Sequence, residues 1–210
     1  DVNINIVLVN NCDGDAGYIL AMIEDISEAL RTESARQIVF NISSAVNSSK
    51  NLPGLIATIR EELGKIVDTS NFFVALYDKK NETLTLPFIA DDKDHFETFP
   101  AGKSISAYVI SQGKPLLLRD TDMYKLEEEG HIGLVGTRSK IWMGVPLRAR
   151  EEIIGLIGIQ SYTDENAYDS DDLEMLEFIS SQIGMAIDRK RTEDELMRER
   201  VFLKQIFENS

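Results

Sequence analysis

IWMGVPLRAREEIIGLIGIQSY, residues 141–162, reads as two long apolar strands joined by a short charged turn. Ile141, Met143, Val145, Leu147 and Ala149 alternate with Trp142, Gly144, Pro146, Arg148 and Arg150. That period of two sends neighbours to opposite faces of a sheet. In the second strand Ile154 and Leu156 oppose Ile153, Ile157 and Ile159. A strand apolar on both faces belongs in the middle of a sheet. Gly155 and Gly158 leave room for a group to approach the sheet closely. The turn Arg150-Glu151-Glu152 has no glycine, which predicts a type I geometry rather than a primed two-residue turn.

The order W-M-G-V-P-L, then I-I-G-L-I-G-I-Q-S-Y, then YDSDDLEMLEFISSQIGMAI (residues 168–187) resembles the C-terminal half of a GAF domain. The resemblance implies a small sensory module of signalling proteins. It implies an α+β fold: a GAF-like, PAS-related antiparallel sheet of five or six strands flanked by helices on both faces. The terminal helices would bundle on one face, with a long C-terminal signalling helix. It does not name a ligand.

The chain has 210 residues, enough for one ordinary domain with extensions. No apolar run approaches the about 20 residues of a membrane span, and no signal peptide pattern is present. The first residue is Asp, and both ends read as cut from a longer chain, which leaves open a membrane anchor elsewhere in the parent. The net charge of −14 disfavours nucleic acid and anionic membrane as partners, because both attract a positive field. One cysteine, Cys12, cannot form an internal disulfide, which fits a reducing, cytoplasmic compartment, and it excludes a cysteine-based zinc site within one chain.

Before the 141–162 stretch, residues 1–28 read as a hairpin: NINIVLVN, a turn cluster NCDGDAG, then YILAMIEDIS. Asp25, Ile26, Ser27 and Glu28 resemble the signature that closes a PAS domain. Such a hairpin is marginal alone and is expected to pack on a neighbour, pair with another chain, or sit differently in the parent. Ala35, Ile38, Val39, Ile42, Ala45 and Val46 then recur at helical spacing. A second helix carries Pro53 in its first turn and Leu55, Ile56, Ile59, Leu63, Ile66 and Val67 on one face. Residues 71–78 and 83–89 read as strands. In the second, Leu84, Leu86 and Phe88 share a face, and Pro87 argues for an edge. Residues 90–102 read as irregular. Ser104–Gln112 forms a short helix closed by Gly113, and Lys114–Leu118 a short strand. Asp120 is placed to cap a helix running to about Glu129. GHIGLVGTRSK, residues 130–140, reads as a mobile loop.

After the hairpin, Asp169 or Ser170 caps a helix with Leu173, Leu176, Ile179, Ile183, Ala186 and Ile187 on its apolar face. The pattern continues past residue 187. Leu196, Leu203 and then Ile206 or Phe207 form an approximate heptad, the signature of a parallel two-chain coiled coil or of a solvated helix. The expected organisation is a PAS-like tail over 1–28, a GAF domain over 29–190, and a signalling helix over 188–210 entering another PAS-like domain. PAS–GAF–PAS order is typical of bacterial sensor histidine kinases and, less often, diguanylate cyclases.

Nothing in the sequence marks a catalytic centre. No G-x-S-x-G elbow is present, and Gly130, Gly133 and Gly136 do not make a nucleotide-binding loop. His95 and His131 are the two histidines. His95 reads as a surface loop residue. Set against GAF patterns, covalent bilin is disfavoured because Cys12 precedes the domain, haem is disfavoured with only His131 or His95 to hold it, and the cofactor stays unknown. An unidentified small molecule, or none, remains. The candidate pocket lies between one sheet face, the 104–112 helix and the 119–139 segment. Its candidate residues are Phe88, Tyr108, Asp120, His131, Arg138 and Trp142. Phe88 and Trp142 also read as core, Tyr108 as either, Asp120 as a helix cap, and Arg138 as a solvated residue or an anion clamp. Ile183, Ile187, Leu196, Leu203 and Phe207 are the candidate dimer and signalling positions. The chain is expected to be non-catalytic, to form a homodimer through its terminal helices, and to regulate an output module, with a ligand-free relay as the alternative.

Overall fold

The computed structural model describes residues 2–10 and 16–208; the side chains of residues 8–10, 16–19, 27–28 and 206–208 fall outside that description. The turn at 11–15, Cys12 and the last two residues therefore lie outside it, as does the side chain of Phe207. The chain divides into two units, Asp1–Gln37 and Ile38–Ser210, and the division falls inside helix α1 (Ser27–Ser48).

In the first unit, β1 (Val2–Asn10) and β2 (Ala16–Asp25) form the expected antiparallel hairpin, with Ile4 opposite Ile23 and Ile6 opposite Ala21. Val2, Ile4, Ile6 and Ile23 share one face by alternation, and all are exposed.

The second unit is built on six antiparallel strands in the order β5-β4-β3-β8-β7-β6. These are β3 (Asn71–Asp78), β4 (Thr83–Ala90), β5 (Thr98–Pro100), β6 (Leu116–Arg119), β7 (Ile141–Ala149) and β8 (Glu152–Ser161). The second strand of the sequence hairpin is β8, and it lies between β3 and β7 as its two apolar faces require. One sheet face carries Ile141, Met143, Val145, Leu147, Ile157 and Ile159, all fully buried. Each such side chain contributes about 1.5–3 kcal/mol of transfer free energy. Helix α2 (Leu52–Leu63) and helix α5 (Ser170–Glu208) pack on that side, with Leu55, Ile56, Ile59, Ile179, Ile183 and Ile187 buried. Asn51 caps α2 through the Gly54 amide at 3.0 Å. Asp169 caps α5 by accepting from the Asp171 and Asp172 amides, and Asp172 answers the Asp169 amide.

The other face carries Phe73, Ala75, Leu84, Leu86, Trp142 and Leu156, covered by Val109 of helix α3 (Ile105–Gln112) and Met123 of helix α4 (Asp120–Glu128).

Several sequence expectations are corrected. Ile183 and Ile187 are fully buried and so offer nothing to a second chain; helical periodicity turns them toward the sheet. Asp120 is the first residue of α4 rather than its cap, and the Asp122 carboxylate accepts the Arg119 amide instead. Residues 98–100 are a strand, because their backbone pairs with Thr83–Thr85. Pro87 accordingly sits beyond the segment that β5 covers. The hairpin turn holds Arg150 at φ +57°, which a type I turn does not contain. The register between β7 and β8 leaves only Arg150 and Glu151 to reverse the chain, and the twist of so tight a hairpin favours a positive φ.

Candidate functional site

A cavity of about 70 Å³ lies between the Trp142 face of the sheet and the α3–α4 layer. Two glycines shape its floor. A Cβ on Gly144 would run into the Trp142 indole, and one on Gly158 into the Phe73 ring. The two rings occupy the space over these residues, so the close approach anticipated at Gly158 is made by the protein's own aromatic side chain. Ile89, Phe96, Phe99 and Met123 complete the apolar wall.

The polar end is a hydrogen-bonded network. Gln160 Nε2 donates to Asp91 Oδ2 and to the Tyr162 hydroxyl, both at 2.8 Å. The Tyr162 hydroxyl lies 2.7 Å from Asp91 Oδ1 and 3.4 Å from Asp94 Oδ2. The Lys93 and Asp94 amides also donate to Asp91 Oδ1. Burial works to raise the Asp91 pKa, and these hydrogen bonds outweigh it, so its carboxyl sits below the usual range. Burial, and then the hydrogen bond to Asp91, push the Tyr162 phenol well up. Lys93 Nζ stands 4.4 Å from the centroid of the Tyr162 ring.

Of the six candidate positions, the structure brings Trp142 and Arg138 to the cavity. Arg138 is neither solvated nor a free anion clamp. Its Nη2 lies 2.5 Å from Glu127 Oε2, its guanidinium stacks 3.9 Å over Tyr124, and its Nη1 faces Asp120 Oδ1 at 3.8 Å. Asp120 stands behind Arg138, and the two facing atoms are buried without hydrogen-bond partners. Tyr108 and His131 stack on each other at 5.8 Å away from the cavity lining, with the His131 side chain 54% exposed. Phe88 lies on the opposite sheet face, edge-on to Phe72 at 6.1 Å. The cause is a bulge. Val74 pairs with Phe88 but Leu76 with Thr85, so β4 holds one extra residue at Leu86–Pro87. The alternation is reversed beyond it, and Ile89 takes the cavity position that Phe88 would have had.

Asp91, Asp94, Thr137, Gln160 and Tyr162 are not among the candidate site residues read from the sequence. The available signal was Gln160. A glutamine ending an apolar central strand is buried and must find partners. Asp91 and Asp94 sit in DDKD, which reads like any solvated acidic run. Asp91 and Asp94 line the cavity, the one cation in its lining, Arg138, is already paired with Glu127, and Lys93 stands over the Tyr162 ring. The site therefore opposes an anionic guest and suits a compact neutral or cationic one. Among the described residues no group of His, Cys, Asp and Glu is arranged to hold a metal ion.

The sequence model of the GAF domain matches residues 49–188. The chain belongs to the GAF domain family. Its members serve generally as regulatory or sensory domains of signalling proteins. Among solved structures, the GAF domain of an Acinetobacter phosphoenolpyruvate-protein phosphotransferase is 14% identical with a TM-score of 0.60, matching 79% of this chain and 98% of that one. Free methionine-R-sulfoxide reductase from Neisseria meningitidis, in complex with its substrate, is 16% identical with a TM-score of 0.61, over 81% and 95% of the two chains. Residues 122 to 287 of a methyl-accepting chemotaxis protein are 14% identical with a TM-score of 0.56, over 72% and 97%. At these identities the likeness is one of fold. No curated protein matches the sequence. No helix among the described residues is long and apolar enough to cross a membrane.

Proposed function

We propose that this GAF domain is the sensory segment of a cytoplasmic signal-transduction protein, a sensor histidine kinase in the first instance, and that it regulates rather than catalyses. The observation that carries this reading is α5. Leu176, Ile179, Ile183 and Ile187 are core, whereas Leu196, Met197, Val201, Phe202 and Leu203, further along the same unbroken helix, are exposed. A change in packing against β7 is therefore passed along a rigid rod to a following output module. A compact neutral or cationic guest in the Trp142 cavity would drive that change by binding two packing states with different affinity. PAS-like segments would flank the domain, the kinase part would lie outside these residues, and two chains would associate through the terminal helices. A diguanylate cyclase is the alternative output.

A ligand-free dimerisation and relay module is the second reading. The cavity favours it, since about 70 Å³ is well below the roughly 300–1,000 Å³ of ordinary ligand sites. Native mass spectrometry and an absorbance scan of the purified protein separate the two, followed by a thermal-shift panel of neutral, cationic and anionic probes. The sensor reading expects a retained adduct or a shift from the neutral or cationic probes. A dimeric mass without adduct and no shift from any probe would leave the relay.

A further inference from the structure

We infer that residues 133–137, GLVGT, form a lid over the cavity that the Asp94 carboxylate holds shut. The segment is anchored at both ends. The Gly133 amide donates to the Lys103 carbonyl at 2.8 Å, and Arg138 is fixed by Glu127. Between these anchors Leu134 and Val135 line the cavity while remaining 54% and 45% exposed, so they form its outer wall. Thr137 supplies the latch: its amide donates to Asp94 Oδ2 at 2.8 Å and its hydroxyl to Oδ1 at 3.0 Å. Gly136 lets the lid seat. It holds φ +77°, and a Cβ there would run into Asp94 Oδ2 and Phe96.

The latch post is rigid. The Asp94 amide donates to Asp91 Oδ1, and Asp91 is tied to β8 through Gln160. The lid thus closes onto the sheet itself through two loops 43 residues apart in sequence. An aromatic floor, a fixed post and two half-exposed apolar side chains held down by one threonine make a gate. A guest passes this face when Thr137 leaves Asp94.

The inference rests on the cavity being the receptor site, yet its test needs no ligand. Trp142 is the only tryptophan, is 4% exposed and lines the cavity, so acrylamide quenching of its fluorescence reads lid opening directly. In Asp94→Ala the quenching constant is expected to rise several-fold, and amide exchange at residues 134–137 to accelerate about tenfold, with β3 and β8 amides unchanged. Thr137→Val keeps the amide and the side-chain shape, and is expected to show a smaller rise in both. Quenching and 134–137 exchange unchanged in both variants would overturn the lid. A parallel acceleration in β8 would overturn it too, since Asp94 would then support the whole sheet rather than a gate. If the lid opens as expected but no probe binds, the gate stands and the sensor reading falls.

Discussion

Tyr162 and Asp91 illustrate how one hydroxyl organises the polar end of the cavity. Tyr162→Phe removes a donor to a carboxylate whose pKa burial works to raise. It is expected to cost about 1–2 kcal/mol at pH 7 in urea unfolding. The sign of its pH dependence follows from Asp91, whose folded pKa lies below its unfolded value. The native state binds fewer protons between the two values, so this contribution is complete above the unfolded pKa and disappears as pH falls through the folded one. The difference between wild type and Tyr162→Phe should therefore shrink below about pH 4. A difference that stays constant from pH 7 to pH 3 would break the link between the phenol and the Asp91 charge. Gly158 tests the floor in the same way. Gly158→Ala drives a methyl into Phe73, and a loss of about 1–3 kcal/mol is expected in thermal unfolding. An unchanged midpoint would mean that the ring has room to move aside.

At the scale of elements, α5 is held to the helix pair by its own polar side chains. Asp194 Oδ2 accepts the Leu52 amide at 2.8 Å, capping the start of α2 from outside it, and Arg189 donates to Asn47 Oδ1 at 3.0 Å. Lys190 lies nearly buried between these contacts, 3.9 Å from Asp194 Oδ1. These residues fall in the charged stretch past residue 187, read from sequence as a coiled-coil or solvated helix, and they clamp the signalling helix where it leaves the core. Asp194→Ala should cost about 1 kcal/mol of stability in urea unfolding and fray the first turn of α2. Full protection of the Leu52–Leu55 amides in that variant would count against the clamp.

For the whole molecule, the exposed apolar residues of α5 matter most. Phe178, Met185, Leu196 and Leu203 are exposed and stand seven, eleven and seven residues apart, so they fall along one side of the helix. A second copy of the chain is the expected cover. Replacing Leu196 and Leu203 with Asp should convert a dimer to a monomer in light scattering with little change in thermal midpoint, because neither side chain belongs to the core. An unchanged mass would exclude the helix as the interface. Each chain carries a net charge of −14, so the dimer should also tighten as salt rises and screens the repulsion.

Periodicity alone identified β7, β8, the helix pair and the first half of α5. In each, apolar residues repeat at the spacing of one face, and burial enforces that spacing. Trp142 was legible for the same reason, and Gly158 because a glycine in a buried strand implies close approach. The cavity's polar end was not legible. Asp91, Asp94, Thr137 and Gln160 come from three separate segments, and nothing local distinguishes them from solvated residues until the sheet brings them together. Phe88 shows the limit most directly. Its alternation with Leu84 and Leu86 is regular in sequence, but a single extra residue at the Pro87 bulge sends it to the other face. Register and bulges depend on pairing with a distant strand, so local sequence specifies which residues are buried, and only tertiary structure decides what each of them meets.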